Sequence, residues 1–240
     1  MSVHVGDCLE WLSGLETGTV HAVITDPPYC SGGFQESKQM GATSQGVKNT
    51  AWFASDNMST AGYLWLLRSV AVQAHRVLVS GGHMLCFCDW RQSINLAPAI
   101  ESSGLRFRQE VIWDKKSAGL GMGFRAQHEK ILAFCKGTAR YPGNTGSVLS
   151  TPRVPRSRST HPTEKPQPLL QALVRVVTTE GDLVIDPFCG TGSTGVAATS
   201  LGRRFMGCER EPAYAREARA RLGAVGTLQE GQAGLFGGAA

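Results

Sequence analysis

The stretch LVIDPFCGTGST, residues 183–194, decides the fold. Its first four residues have the apolar, β-branched character of a short buried strand, and they run directly into two closely spaced glycines. Gly190 and Gly192 permit a sharp turn and the close approach of a ligand, and with Gly195 they match the spacing of a dinucleotide-binding loop. The stretch therefore predicts a strand, a ligand-binding loop and a helix.

An acidic residue decides between two cofactors for this loop. The glycines alone leave NAD(P) and S-adenosylmethionine open. Asp186 precedes them, where it would repel a pyrophosphate and attract a sulfonium ligand that carries an ammonium group. Glu209 follows about 20 residues after the first glycine and suits the ribose hydroxyls of either cofactor. Together with the Asp-Pro-Pro-Tyr motif at residues 26–29, the acid predicts S-adenosylmethionine rather than NAD(P).

Strands and helices alternate along the rest of the chain. A length of 240 residues suits one α/β domain, which we predict over residues 1–222. The predicted strands are 20–25, 83–88, 183–186 and 204–208, with an antiparallel addition of 107–114 and 129–135 at one edge. The predicted helices are 60–78, which Ser80-Gly81-Gly82 ends, 93–103, 166–177, 193–201 and 211–222. Segments 30–57 and 137–160 are irregular, and 223–240 is a loose Gly/Ala-rich tail. The pattern predicts a doubly wound, mostly parallel sheet.

A second motif carries the reaction. Asp26-Pro27-Pro28-Tyr29 directly follows a predicted strand, and open α/β sheets bind ligands at that end of their strands. The Asp26 carboxylate and the rigidly held Pro27 carbonyl can both accept N–H bonds from an amino group on a base, which stabilises positive charge as a methyl group arrives. Tyr29 offers a face on which a flipped base can stack. The motif predicts methylation of an exocyclic amino group.

The order of these motifs resembles the β group of amino-methylating DNA methyltransferases over roughly residues 5–222. The resemblance implies the single-domain, Rossmann-like methyltransferase fold and S-adenosylhomocysteine as product. It also implies that Asp7 contacts the cofactor adenine and that Thr163 and Lys165 close over the methionine carboxylate. The cofactor-binding residues that it implies are Asp7, Cys8, Thr163, Lys165, Asp186, Pro187, Phe188, Cys189, Gly190, Thr191, Gly192, Ser193 and Glu209.

The resemblance favours adenine as the target base. Asp-Pro-Pro-Tyr is typical of adenine N6 methylation and Ser-Pro-Pro-Tyr of cytosine N4 methylation, which stays the main alternative. The sequence contains no Pro-Cys dipeptide, so we expect direct transfer without a covalent intermediate. An NAD-dependent oxidoreductase and a non-catalytic DNA-binding homologue are remoter alternatives. Because the cysteines and histidines show no zinc spacing, we predict no metal.

Arginine clusters point to double-stranded DNA as the partner. The net charge is +5 and the sequence pI about 8.9. Arg153, Arg156 and Arg158 lie within six residues, with Arg140 upstream, and we predict that all four contact phosphates. No signal peptide and no apolar run long enough for a membrane span is evident, so we expect a protein of the bacterial cytoplasm, encoded by the host or by a phage.

The interval that usually carries target recognition in this group is short. It comprises only residues 136–160 and shows no helical pattern, so it cannot form a separate domain. Three alternatives follow: a short or loose recognition sequence, recognition shared with segment 30–57, or recognition shared with a second subunit of a homodimer.

Overall fold

The computed structural model describes residues 1–28, 58–120, 122–155 and 164–236, with side chains up to residue 225. Within these ranges eight strands form one sheet that six helices flank. The strands are β1 Ser2–Val5, β2 Val20–Thr25, β3 Leu78–Cys88, β4 Arg106–Asp114, β5 His128–Cys135, β6 Val148–Ser150, β7 Leu183–Asp186 and β8 Arg204–Glu209. The helices are α1 Cys8–Ser13, α2 Thr60–Val77, α3 Ser93–Glu101, α4 Gln167–Val177, α5 Ser193–Ser200 and α6 Pro212–Phe236.

The strand order is β1-β8-β7-β2-β3-β5-β4-β6. The five strands from β1 to β3 are parallel to one another. Strand β5 is antiparallel to both β3 and β4, and β6 is parallel to β4. This arrangement confirms the predicted mostly parallel sheet with an antiparallel addition. The carboxyl ends of β2, β3, β7 and β8 therefore share one edge, called the carboxyl edge below.

Apolar side chains fill both faces of the sheet. Helices α1, α2 and α3 cover one face, where Leu67 and Val70 are fully buried, and α4, α5 and α6 cover the other, where Val174 and Ala198 are fully buried. Burial of one leucine side chain contributes about 1.5–3 kcal/mol to the free energy of unfolding. Because each helical layer buries several such side chains against the sheet, the two layers hold the strand ends in fixed positions. Among the described residues, no helix is both long and apolar enough to span a membrane.

Glycines inside β3 form a bulge rather than a stop. We predicted that residues 80–82 separate a helix from a strand that begins at His83, but β3 begins at Leu78 and passes through them. The ladder between β2 and β3 shifts register between Val20 and Ala22, and Gly81 has a φ of 84°. Only glycine adopts this conformation readily, so the residues that resemble a helix stop accommodate an irregular strand.

Two other boundaries differ from the prediction. Helix α6 continues beyond the predicted end at Leu222 to Phe236, so the backbone of 223–236 is helical rather than a loose tail. Its alanine, leucine, glutamine and glutamate residues favour helix strongly enough to offset the interspersed glycines. The short strand β6 lies within the segment 137–160 that we predicted to be irregular, because the edge of β4 supplies hydrogen-bond partners.

Candidate active site

Two acidic residues lie side by side at the carboxyl edge. Strands β2 and β7 are parallel neighbours, with Val23 paired to Ile185, so Asp26 and Asp186 lie at adjacent strand ends although they are far apart in sequence. The hydroxyl of Thr25, the last residue of β2, donates a hydrogen bond of 2.7 Å to Asp186 Oδ1. The structure thus brings together the two motifs that the sequence analysis identified.

Asp186 is buried beneath the glycine loop. It is 2% exposed, and its Oδ1 also accepts a 3.0 Å hydrogen bond from the Phe188 N–H. Burial raises the pKa of this carboxyl to about 7, although hydrogen bonds from Thr25, Phe188 and Thr194 oppose the rise. Its charge at neutral pH therefore depends on its surroundings, and a nearby ligand cation would favour the ionised form.

The loop between β7 and α5 has the shape that its glycines predict. Gly190 and Gly192 have φ values of 51° and 82°, and a Cβ at Gly190 would meet open space. A Cβ at Gly195 would lie 2.6 Å from the Phe205 ring, so this glycine allows α5 to pack closely on β8. The other predicted cofactor residues of this loop are Pro187, Cys189, Thr191 and Ser193.

Glu209 joins the glycine loop to the end of β8. Its Oε2 accepts a 2.9 Å hydrogen bond from the Gly190 N–H, and its Oε1 accepts one of 2.8 Å from the Glu211 N–H. Burial raises the pKa of this carboxyl, while these backbone donors lower it. The side chain is thereby fixed beside the loop, at the position expected for a ribose-binding acid.

The opening segment reaches the same edge. Strand β1 pairs with β8, and the Gly6 N–H bonds to the Glu209 carbonyl at 3.1 Å, which places Asp7 next to the cofactor motif. Asp7 Oδ1 accepts from the N–H groups of Leu9 and Glu10 at 2.8 and 3.1 Å and so caps α1. Cys8 is buried, and burial raises the pKa of its thiol to about 12, so it packs as an uncharged side chain.

A buried chain of alternating charges surrounds Asp26. The Lys165 ammonium donates to Asp26 Oδ2, and it also lies 3.4 Å from Glu129 Oε2. Glu129 Oε1 in turn accepts a hydrogen bond from the Lys115 ammonium. The structure brings Lys165, for which we predicted a contact with the methionine carboxylate of the cofactor, to the Asp26 carboxylate. Glu129 was not among the predicted site residues, because its only signal in the sequence is an acid at the start of the apolar strand β5.

The two central members of this chain stabilise each other as ions. Burial alone would lower the pKa of Lys165, but the carboxylates of Asp26 and Glu129 outweigh it and raise that pKa. Burial would raise the pKa of Glu129, but Lys165 and Lys115 outweigh it and lower that pKa. A buried ammonium and a buried carboxylate are tolerated together because each has hydrogen-bonded counter-charges on two sides.

Arg221 of α6 links the segment before α4 to the glycine loop. Its Nη2 bonds to Glu164 Oε1 at 2.5 Å, and its Nη1 donates to Thr191 Oγ1 at 2.9 Å. The linkage holds the residue next to Lys165 against the loop that follows β7. Arg221 was not among the predicted site residues. It lies in the same helix as Arg216 and Arg219, and nothing in the sequence distinguishes it from them.

Two of the four arginines predicted to contact DNA, Arg140 and Arg153, lie among the described residues, at different edges of the sheet. Arg140 lies at the opposite edge of the sheet, where its carbonyl is 2.7 Å from His83 Nε2 and its N–H points to the Gly81 carbonyl. The chain returns through β6 to the carboxyl edge, where Arg153 is exposed. The remaining predicted residues and segment lie outside the described residues: Tyr29, Thr163, Arg156, Arg158 and 30–57.

Known proteins match most of the chain. The DNA methylase family model matches residues 20–220. YubD of Escherichia coli (strain K12), which carries the name of a methylase, is 30% identical over 231 residues, covering 95% of this chain and 93% of that protein. The type II methyltransferase M2.DpnII of Streptococcus pneumoniae is 28% identical over 245 residues, covering 90% of this chain and 87% of that protein.

Solved structures share the fold. The SAM complex of M1.HpyAVI has a TM-score of 0.67 at 23% identity and covers 92% of this chain and 99% of that one. The cytosine-N4-specific PvuII DNA methyltransferase has a TM-score of 0.71 at 17% identity, with coverages of 92% and 86%. Since the family model spans most of the chain and YubD matches nearly its full length, the chain belongs to the DNA methylase family of N6 and N4 methyltransferases.

Proposed function

We propose that the protein transfers a methyl group from S-adenosylmethionine directly to the exocyclic N6 amino group of a flipped-out adenine in double-stranded DNA. The observation that carries the proposal is the pair of acids, Asp26 and Asp186, at adjacent strand ends that Thr25 links. One acid suits a cationic cofactor and the other an amino group, so donor and acceptor would meet at one edge of the sheet.

The residues around the glycine loop fit this cofactor. The buried carboxyl of Asp186 suits the ammonium group of the methionine moiety, and the open space at Gly190 admits a ligand close to the backbone. Glu209 stands beside the loop to accept from ribose hydroxyls. When bound, S-adenosylmethionine supplies an electrophilic methyl group on a sulfonium.

Asp26 and Pro27 act on the target amino group. Its lone pair is delocalised into the ring, so it becomes a nucleophile only when both N–H bonds meet acceptors that favour a tetrahedral nitrogen. The Asp26 carboxylate and the Pro27 carbonyl supply them, and the direction of this carbonyl is restricted because Pro27 has a fixed φ and Pro28 limits the ψ of the residue before it. The nitrogen forms its bond to the methyl carbon as the sulfonium bond breaks. The proton that the methylated nitrogen then loses passes to Asp26.

The nature of the modified nucleoside tests the proposal. The protein should be incubated with duplex DNA and methyl-labelled S-adenosylmethionine, and the digested nucleosides analysed by mass spectrometry. We expect label in N6-methyladenine. Label in N4-methylcytosine would show that the target base is cytosine, methylated with the same acceptor groups. Label in 5-methylcytosine would contradict the proposal.

An apolar surface at the carboxyl edge suits a distorted duplex. The connection from β4 to β5 lies at the carboxyl edge and exposes Leu120, Met122 and Phe124 almost completely. Asp114 secures its base, because Oδ1 accepts from Gln127 Nε2 at 2.8 Å and from the Lys116 N–H at 2.9 Å. Apolar side chains of this kind can wedge between base steps while nearby cations contact phosphates.

Arg153 and Arg140 form a matched pair for testing which face binds DNA. We expect Arg153→Ala to weaken DNA binding and to lower the slope of log K against log salt by about one, because one phosphate contact is lost. Arg140→Ala, at the opposite edge, should leave both quantities unchanged. Fluorescence anisotropy with a labelled duplex at several salt concentrations measures both. Equal effects of the two variants would contradict the assigned face.

Target recognition follows from the same region. The described part of the recognition interval 136–160, residues 136–155, contains a loop and the three residues of β6. That is too little chain for a folded recognition domain. We infer modest sequence selectivity, or recognition that a second subunit of a homodimer shares.

A further inference from the structure

We propose that Glu129 is a positioning residue for methyl transfer, which holds the Lys165 ammonium on the catalytic carboxylate of Asp26. The inference rests on the proposed function and extends it to a residue outside both sequence motifs. Glu129 does not touch the reacting atoms in this assignment, and it acts only through Lys165.

The Lys165 ammonium needs more than one anionic partner. Its side chain is 6% exposed, so water cannot satisfy three N–H donors. Asp26 accepts one hydrogen bond, Glu129 Oε2 lies 3.4 Å away, and the Phe87 ring centre lies 5.0 Å from Nζ. A buried ammonium with a single carboxylate would lose much of its compensation, because removing one partner of a buried ionic group is strongly destabilising.

Glu129 is well placed to fix that ammonium. It lies on β5, which pairs on one side with β3 and on the other with β4, so its backbone cannot shift easily. Lys115, the residue after β4, holds its other oxygen, and Lys115 Nζ also lies 5.1 Å from the Trp113 ring centre. Lys165, by contrast, precedes α4, outside the sheet. The strand residue therefore determines where the ammonium meets Asp26.

Loss of the Glu129 charge would act through the proton of Lys165. The groups that face this ammonium are Asp26 directly after β2, Glu129 from β5 and the Phe87 ring from β3, with Lys115 behind Glu129. Burial disfavours the charged form of Lys165, and without the Glu129 charge only the Asp26 carboxylate offsets this effect. The pKa of Lys165 is therefore lower in the variant than in the wild type. At alkaline pH the neutral amine no longer holds Asp26, and turnover falls.

Glu129→Gln tests this role, because the amide keeps the shape of the side chain and removes its charge. We expect kcat to fall about tenfold to a hundredfold, while Kd for S-adenosylhomocysteine and KM for DNA change less than about threefold. The alkaline limb of the kcat profile should move down by about one pH unit or more, and Glu129→Asp should recover part of both losses.

Glu110→Gln is the matched control. Glu110 Oε2 lies 3.0 Å from Lys130 Nζ, an ion pair on the same two strands that does not involve Asp26 or Lys165. The pH profile of kcat for Glu110→Gln should match that of the wild type. A second readout that needs no turnover is the pH titration of the Lys165 side chain by NMR with labelled lysine, which should occur at lower pH in Glu129→Gln than in the wild type.

Three results would overturn the inference: a wild-type pH profile in Glu129→Gln, a fall in kcat without a shift of the alkaline limb, or an unchanged Lys165 titration. If Glu129→Gln does not fold, the same two readouts on Glu129→Asp decide, with a smaller downward shift expected. A wild-type protein that methylates no DNA contradicts the proposed function instead, and the NMR titration still tests the link between Glu129 and Lys165.

Discussion

Asp26→Asn is expected to lower kcat for DNA methylation by about a hundredfold to a thousandfold and to leave cofactor binding nearly intact. The amide has the same shape, but it offers one acceptor oxygen and can turn an NH₂ group towards the amino group that it should bind. It also leaves the Lys165 ammonium facing an uncharged group. Single-turnover methylation with labelled cofactor measures the chemical step, and calorimetry with S-adenosylhomocysteine measures binding.

Asp182→Asn serves as the control for this variant. Asp182 precedes β7 at the opposite edge of the sheet, where its Oδ2 accepts from the Thr179 N–H at 2.7 Å. The substitution removes a carboxylate at the amino end of the neighbouring strand without touching the carboxyl edge, so kcat should stay at the wild-type value. If Asp26→Asn keeps more than about a tenth of wild-type kcat, Asp26 is not the acceptor that the mechanism requires.

S-adenosylhomocysteine should bind more tightly as the pH rises through about 7, because Asp186 must be ionised to accept the ligand's ammonium group. Asp186→Asn should weaken binding about a hundredfold at pH 8 and remove this pH dependence, since the amide does not titrate. Calorimetry between pH 5.5 and 8.5, a range of about 1.5 units on each side of the raised pKa, provides the measurement. Affinity of the wild type that does not vary with pH would contradict the role of Asp186.

The same carboxyl should affect the stability of the ligand-free protein in the opposite sense. Its pKa is raised from 3.8 to about 7, so between these values the folded state binds more protons than the unfolded state. The contribution of Asp186 to the free energy of unfolding therefore decreases as the pH rises from about 4 to about 7, by a few kcal/mol at most. Comparing urea unfolding of the wild type and Asp186→Asn across this range isolates the contribution.

The sequence predicts four of the five parallel strands, all but β1, because local signals suffice there. Strands 20–25 and 183–186 are short apolar runs that end at a motif, and their burial follows from that pattern alone. The glycine loop is equally local, since Gly190 and Gly192 adopt the positive φ that their type permits. Motif residues on such segments were placed at one edge by the general behaviour of parallel strands.

Contacts between distant segments were not predictable in the same way. Glu129 approaches Lys165 only because β5 inserts antiparallel beside β3, and no spacing in the sequence specifies that neighbour. Arg140 and Arg153 both lie in the segment 137–160, which is rich in Pro, Gly, Ser and Thr, so the sequence does not distinguish them. Because the chain returns through β6 between them, they lie at opposite edges of the sheet. The bulge at residues 80–82 used residue types that also end helices, so local chemistry favoured the wrong boundary.

The adjacency of β2 and β7 makes the order of the two motifs along the chain unimportant for the chemistry. The cofactor loop follows β7 and the acceptor motif follows β2. The polypeptide that connects the two strands can be opened without changing which strands pair. Met1 and Gly223 line one cavity on the far side of the sheet, so the first strand and the last helix already lie together. A circularly permuted gene that ends the last helix near Gly223, joins it to Met1 and opens the chain between β6 and α4 would encode the same active site with its motifs in reverse order.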